Sequence, residues 1–183
     1  KGESVKKILF TTPILEHPPA GGPFLRIENS IKALNEICEL HLISRVAKKL
    51  MGGEIAESFF DNNSYIFRYA PSVKEHSLIS KIIRRIKRVF VKEKSAIDID
   101  SNFIVKYAHK NKINIIWFGY GNISFDLMKR VKRLDPNLKL ICDTDSVWSR
   151  FILRELPYED NSVRKKEIEE LGLKKEKEEK KWV

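Results

Sequence analysis

Lys6–Thr12 reads as a short apolar strand, and a Pro-rich turn, Glu16-His17-Pro18-Pro19, leads from it to Gly21-Gly22. A helix then begins near Pro23-Phe24, with Leu25, Ile27, Ile31 and Leu34 at helical spacing, and a second strand follows at Cys38–Ser44. A strand, a glycine loop, a helix and a strand make one crossover unit. Such crossovers are right-handed and join parallel strands. The unit also places glycine amides at a helix N-terminus, where phosphates and other anionic groups bind well.

The alternation continues to the end of the chain. Val46–Phe60 is helical but interrupted at Gly52-Gly53, and Ser64–Tyr69 alternates as a third strand. Two helices, Ser77–Val91 and Ile97–Asn111, precede an apolar strand at Ile113–Phe118 that ends in Gly119-Tyr120-Gly121-Asn122. A helix at Ser124–Leu134 stops at Asp135-Pro136-Asn137, and Lys139–Thr144 is the last strand. Helical stretches at Ser146–Leu156 and Ser162–Val183 close the chain. Near-continuous apolar strands separated by helices predict an α/β, Rossmann-like, doubly wound parallel sheet in a single domain. Its ligands belong outside the carboxyl ends of the strands, which selects the loops Glu16–Gly22, Gly119–Asn122 and Asp143–Ser146.

Charge and cysteine content narrow the functional classes. The net charge is +10 over 183 residues, and Lys74–Lys94 alone contributes eight basic residues against two acidic ones. No run of about 20 apolar residues occurs, as a spanning helix would need. Cys38 and Cys142 fall inside strands, which predicts buried thiols in a reducing compartment. In Ser77–Val91, Leu78, Ile79, Ile82, Ile83, Ile86, Val89 and Phe90 share one helical face, while Lys81, Arg84, Arg85, Lys87 and Arg88 fill the other. Such a helix either lies on an anionic membrane surface or packs on the sheet with its basic face in water. Without aromatic interleaving beyond Phe90 it is a poor nucleic-acid surface, and no nucleic-acid partner is expected.

The candidate chemistry lies in the three loops. Gly21 and Gly22 let backbone approach a ligand, or form a flexible turn. Arg26, one turn into the helix, reaches the same ligand or stays solvated. Gly119-Tyr120-Gly121 matches half of a dinucleotide fingerprint, but Ser124 occupies the third glycine position, so a tight turn lining a cleft is the better reading. Asp143 and Asp145 can hold a metal on a nucleotide sugar, act as base, or serve as a loop tie and a helix cap. His17 is the other acid–base candidate. The four histidines, His17, His41, His76 and His109, are too dispersed to suggest a metal site.

These residues together resemble a known pattern. Lys7-Ile8-Leu9-Phe10, Gly21-Gly22, Arg26-Ile27-Glu28-Asn29, Leu34 and Glu39–Ser44 resemble the start of retaining glycosyltransferases of the GT-B fold (glycosyl transferase group 1). Ile115–Phe118 and Asp143–Arg150 are similar to later strands of the same N-terminal domain, while Val46–Asn111 matches nothing in the pattern. The resemblance implies an acceptor-binding domain over residues 1–160. A charged helix, 161–183, would lead into a second domain that binds the nucleotide sugar, and the chain alone would be inactive.

It further implies transfer of a sugar to a polysaccharide or lipid-linked acceptor, with the nucleotide sugar as donor substrate and neither cofactor nor metal. Gly21 and Gly22 would meet the donor phosphates. Arg26, Tyr120, Asn122 and Asp143 would face the acceptor, Asp145 would orient an acceptor hydroxyl or do nothing chemical, and His17, an acid–base candidate on its own residue type, joins it as the second catalytic candidate. Asp145 stands where many relatives have a histidine. The basic helix would hold the protein on the cytoplasmic face of the plasma membrane. A regulatory module that binds a nucleotide or phosphorylated ligand is the alternative reading of the same residues.

Overall fold

In the computed structural model, residues 6–71, 95–144 and 147–180 are described, with the side chain of Asn122 excepted. The basic segment Ser77–Val91, with Lys81, Arg84, Arg85, Lys87 and Arg88, lies outside them, as does Asp145. Contacts divide the chain into two compact units, Lys1–Asp143 and Thr144–Val183.

The first unit holds five parallel strands: β1 (Lys7–Thr12), β2 (Glu39–Ser44), β3 (Ile66–Tyr69), β4 (Ile115–Gly119) and β5 (Lys139–Asp143). Their spatial order is β3-β2-β1-β4-β5, so the chain runs outward from β1 in one direction, then returns and runs outward in the other. The doubly wound parallel sheet expected from the alternation is therefore what forms. Its order reverses between β1 and β4, where ligands of such sheets bind.

Register shows how the apolar runs are used. Ile8 pairs with Leu40 on one side and Ile115 on the other, and Phe10 pairs with Leu42 and Trp117. Paired residues of parallel strands share a face, and neighbours along a strand alternate faces. One face therefore carries Ile8, Phe10, Leu40, Leu42 and Phe67, packed with Ile27, Ile31 and Leu34 of helix α1 (Gly22–Ile37) and Ala56 and Phe60 of helix α2 (Gly53–Asp61). The other face carries Leu9, Thr11, His41, Ile43, Ile116 and Phe118. It is covered by helices α3 (Ala96–Lys110) and α4 (Phe125–Leu134), which pack on each other. Both faces are covered, which is why the strands read as continuous apolar runs rather than alternating ones.

The interrupted helix of Val46–Phe60 resolves into a short 3-10 turn at Lys48–Leu50 followed by α2. Gly52 causes the break. Its φ of 107° lies in the left-handed region, and a Cβ there would overlap the His17 carbonyl oxygen. Further along, α3 starts at Ser95, whose hydroxyl accepts from the Asp98 N–H at 3.2 Å.

The second unit is a helical hairpin of α5 (Trp148–Leu153) and α6 (Ser162–Glu179). Asn161 caps α6 by accepting from the Val163 and Arg164 amides, and Glu179 accepts from the Ser149 N–H at 3.2 Å. Gly172 lets the two helices close, since a Cβ there would overlap the Leu153 side chain. Gly→Ala inside a helix ordinarily gains about 1 kcal/mol. Here overpacking outweighs that gain, and Gly172→Ala is expected to lose about 1 kcal/mol net in urea unfolding.

Candidate functional site

The loop between β1 and α1 is pinned before it reaches its glycines. The Thr12 hydroxyl donates to the Ile14 carbonyl at 2.8 Å, and Leu15 is buried in the core. The His17 N–H donates to the Met51 carbonyl at 2.9 Å. The His17 ring lies flat on Phe59 of α2 with centroids 3.5 Å apart, and its Nδ1 is 3.1 Å from Glu28 Oε2. The acid–base candidate is thus a fixed imidazole at the carboxyl edge of the sheet.

Gly21 and Gly22 follow at the start of α1. Gly21 is extended backbone that any residue adopts, and a Cβ at either position would meet nothing within 4 Å. Both are exposed. Internal packing therefore does not require glycine at either position. The helix has no side-chain cap and Pro23 carries no N–H, which leaves the amides of Gly22 and Phe24 at its start for an anionic group.

Arg26 and Asp143, read separately as acceptor-facing residues, are brought together. The guanidinium of Arg26 on α1 donates to the Asp143 carboxylate at the end of β5. Because β4 lies between β1 and β5, this ion pair spans the carboxyl end of β4. Beside it, Gly22, Leu25, Arg26, Asn29, Ser30 and Ala33 form one open face of α1. A larger cleft of about 750 Å³ lies at the opposite, amino-terminal edge of the sheet and touches none of the candidate residues.

Tyr120 is held with φ 55° in the turn after β4, partly buried against the core. The turn is tight on both sides. A Cβ at Gly119 would collide with Phe10 and Ile27, and one at Gly121 with the Cys142 sulfur. The partial fingerprint is therefore a close-packed turn, as its missing third glycine suggested. Burial pushes the thiol pKa of Cys142 up, and Asp143 adds to it. Burial also raises Cys38, against the pull of Lys6. Both cysteines are free and partly buried. Among the described residues no group of three His, Cys, Asp or Glu side chains could hold a metal ion, and no helix is long and apolar enough to cross a membrane.

Three residues of this edge escaped the sequence reading. Glu28 lies in the apolar stripe of α1 between Ile27 and Ile31 and is 6% exposed. A carboxylate inside a buried stripe was the available signal, because such a group demands partners. Arg45, just past β2, reaches across β1 so that its Nη2 donates to the Ser124 hydroxyl at the start of α4. Burial lowers its pKa to about 10, opposed by Asp100. Phe59 of α2 supports the His17 ring by stacking on it. A scan against protein-family models finds no match to this chain, and a search of the curated proteins finds no relative.

Proposed function

We propose that the chain is the acceptor-binding domain of a glycosyltransferase of the GT-B fold. One observation supports this most. His17, Gly21, Gly22 and Arg26 come from the β1–α1 connection and the first turns of α1, Tyr120 from the turn after β4 and Asp143 from the end of β5, yet all lie along the carboxyl edge at or beside the β1/β4 reversal. That edge is where a doubly wound sheet presents ligands.

In this reading a nucleotide sugar is held by a second domain facing the edge, and its phosphates approach the uncapped amides of α1 at Gly21 and Gly22. The Arg26–Asp143 pair lies beside the open face of α1 on which the acceptor would rest. Paired to each other, the two side chains present hydrogen-bonding groups with little net charge, which suits a polyhydroxylated acceptor. His17 faces the reacting hydroxyl, and Asp145, next to the same edge in sequence, is the second chemical group. Retention of configuration belongs to the same proposal and rests on the resemblance alone, while a membrane-facing role for Lys81, Arg84, Arg85, Lys87 and Arg88 and a cytoplasmic location rest on the resemblance together with the amphipathic pattern and the cysteine content of the sequence.

The test is nucleotide diphosphate release from a panel of uridine and guanosine diphosphate sugars by the natural protein carrying this chain, with glycan and lipid-linked acceptors. A positioned acid–base group is worth about 10²–10⁴ in rate, so His17→Asn is expected to reduce release by at least about 10²-fold with the circular dichroism unchanged. No release with any donor, or full activity in His17→Asn, would reject the assignment.

A further inference from the structure

Four contacts fix His17. Its Nδ1 faces Glu28, its ring is stacked on Phe59 and meets Phe60 edge-on, and its backbone is tied to Met51. Glu28 in turn accepts from Lys32 Nζ at 2.6 Å through its other oxygen. Burial pushes the Glu28 carboxyl up, but the hydrogen bonds from Lys32 and His17 outweigh it and hold the group below the usual range. At neutral pH it is a carboxylate, and a carboxylate only accepts hydrogen bonds. Nδ1 must therefore be the donor, which leaves the lone pair of the neutral ring on Nε2. Among the described residues Nε2 has no hydrogen-bond partner, and the side chain is 22% exposed.

We propose that Glu28 is a positioning residue that fixes His17 in the Nδ1–H tautomer, so that Nε2 accepts a hydrogen bond from a hydroxyl group of the bound acceptor. This rests on the reading of the carboxyl edge as an acceptor cleft and names what meets His17 there. A phosphate oxygen would oppose lone pair to lone pair, whereas a sugar hydroxyl supplies the proton that Nε2 lacks. Glu28 remains ionised throughout, its charge balanced by Lys32.

Long-range proton–nitrogen correlation spectra of the chain at pH 8 report the tautomer directly. The wild type is expected to show Nδ1–H. In Glu28→Gln the side-chain amide can donate to Nδ1, and the ring is expected to switch to Nε2–H. Acylation of His17 by diethyl pyrocarbonate, mapped by mass spectrometry, should then slow about tenfold or more, as a wrong tautomer disables the attacking nitrogen. In the wild type, p-nitrophenyl glycosides should slow that acylation and inorganic pyrophosphate should not.

An Nε2–H ring in the wild type overturns the proposal, and so does an unchanged tautomer in Glu28→Gln. Protection by pyrophosphate instead of glycosides overturns the hydroxyl assignment. If Glu28→Gln does not fold, the wild-type tautomer and the protection pattern decide. Absence of nucleotide-sugar turnover alongside the expected tautomer switch would reject glycosyl transfer alone and leave the role of Glu28 standing.

Discussion

Phe10→Ala is expected to cost about 3–5 kcal/mol, the range for truncating a fully buried aromatic. Phe10 has no exposed surface and stacks on Trp117 with centroids 6.5 Å apart. It sits on the central strand, with Leu42 and Trp117 as register partners, so no edge is near enough for the core to collapse into the cavity. At about 2–4 °C per kcal/mol for a chain of this length, the thermal midpoint should fall by roughly 6–20 °C.

The same ring explains a coupling to the turn after β4. Gly119 lies against Phe10 and Ile27 so closely that an added Cβ has no space. Gly119→Ala should therefore destabilise the wild type by about 1–3 kcal/mol, as overpacking does. It should do little harm in a Phe10→Ala background, where the cavity accepts the methyl group. Calorimetric and guanidinium unfolding of the two single variants and the double variant measure this non-additivity. Additive losses would mean that the ring and the turn do not share space.

What was legible in the sequence is what local pattern encodes. Ile8-Leu9-Phe10 announces a strand covered on both faces because three consecutive apolar side chains must point to alternate sides. Gly52-Gly53 announces a break because both adopt a positive φ that favours glycine. The loops that carry His17, Gly21, Tyr120 and Asp143 follow from strand polarity alone once the sheet is parallel.

Partnership was not legible. Arg26 and Asp143 are 117 residues apart, and nothing in either neighbourhood says that they neutralise each other. Arg45 looks like an ordinary cation after a strand, and only the β2-β1-β4 order brings it to Ser124. Pairing across a sheet depends on strand order, which periodicity does not contain. Glu28 lies between these cases, since its place in an apolar stripe is visible in the sequence but its partners are not.

Glu28 also sets the acid limit of this region. Glu28→Gln is expected to lose about 1.5–3 kcal/mol at pH 7, the worth of hydrogen bonds to a charged group. The loss should depend on pH with a definite sign. The carboxyl of the folded protein titrates below its ordinary value of 4.5, so between the two values the unfolded chain binds more protons than the folded one. Stability then rises with pH through that window. The contribution is fully present above about pH 5 and is lost as the pH falls through the lowered value. Urea unfolding of wild type and variant at pH 7, 5, 4 and 3 should show two curves that are parallel at the upper end and converge at the lower. Lys32→Met should remove part of the same dependence, because Lys32 Nζ is one of the two groups that hold the carboxylate charged. A gap between wild type and Glu28→Gln that stays constant down to pH 3 would mean that the charge of Glu28 contributes nothing, and that the Glu28–His17 contact is held by packing on Phe59 alone.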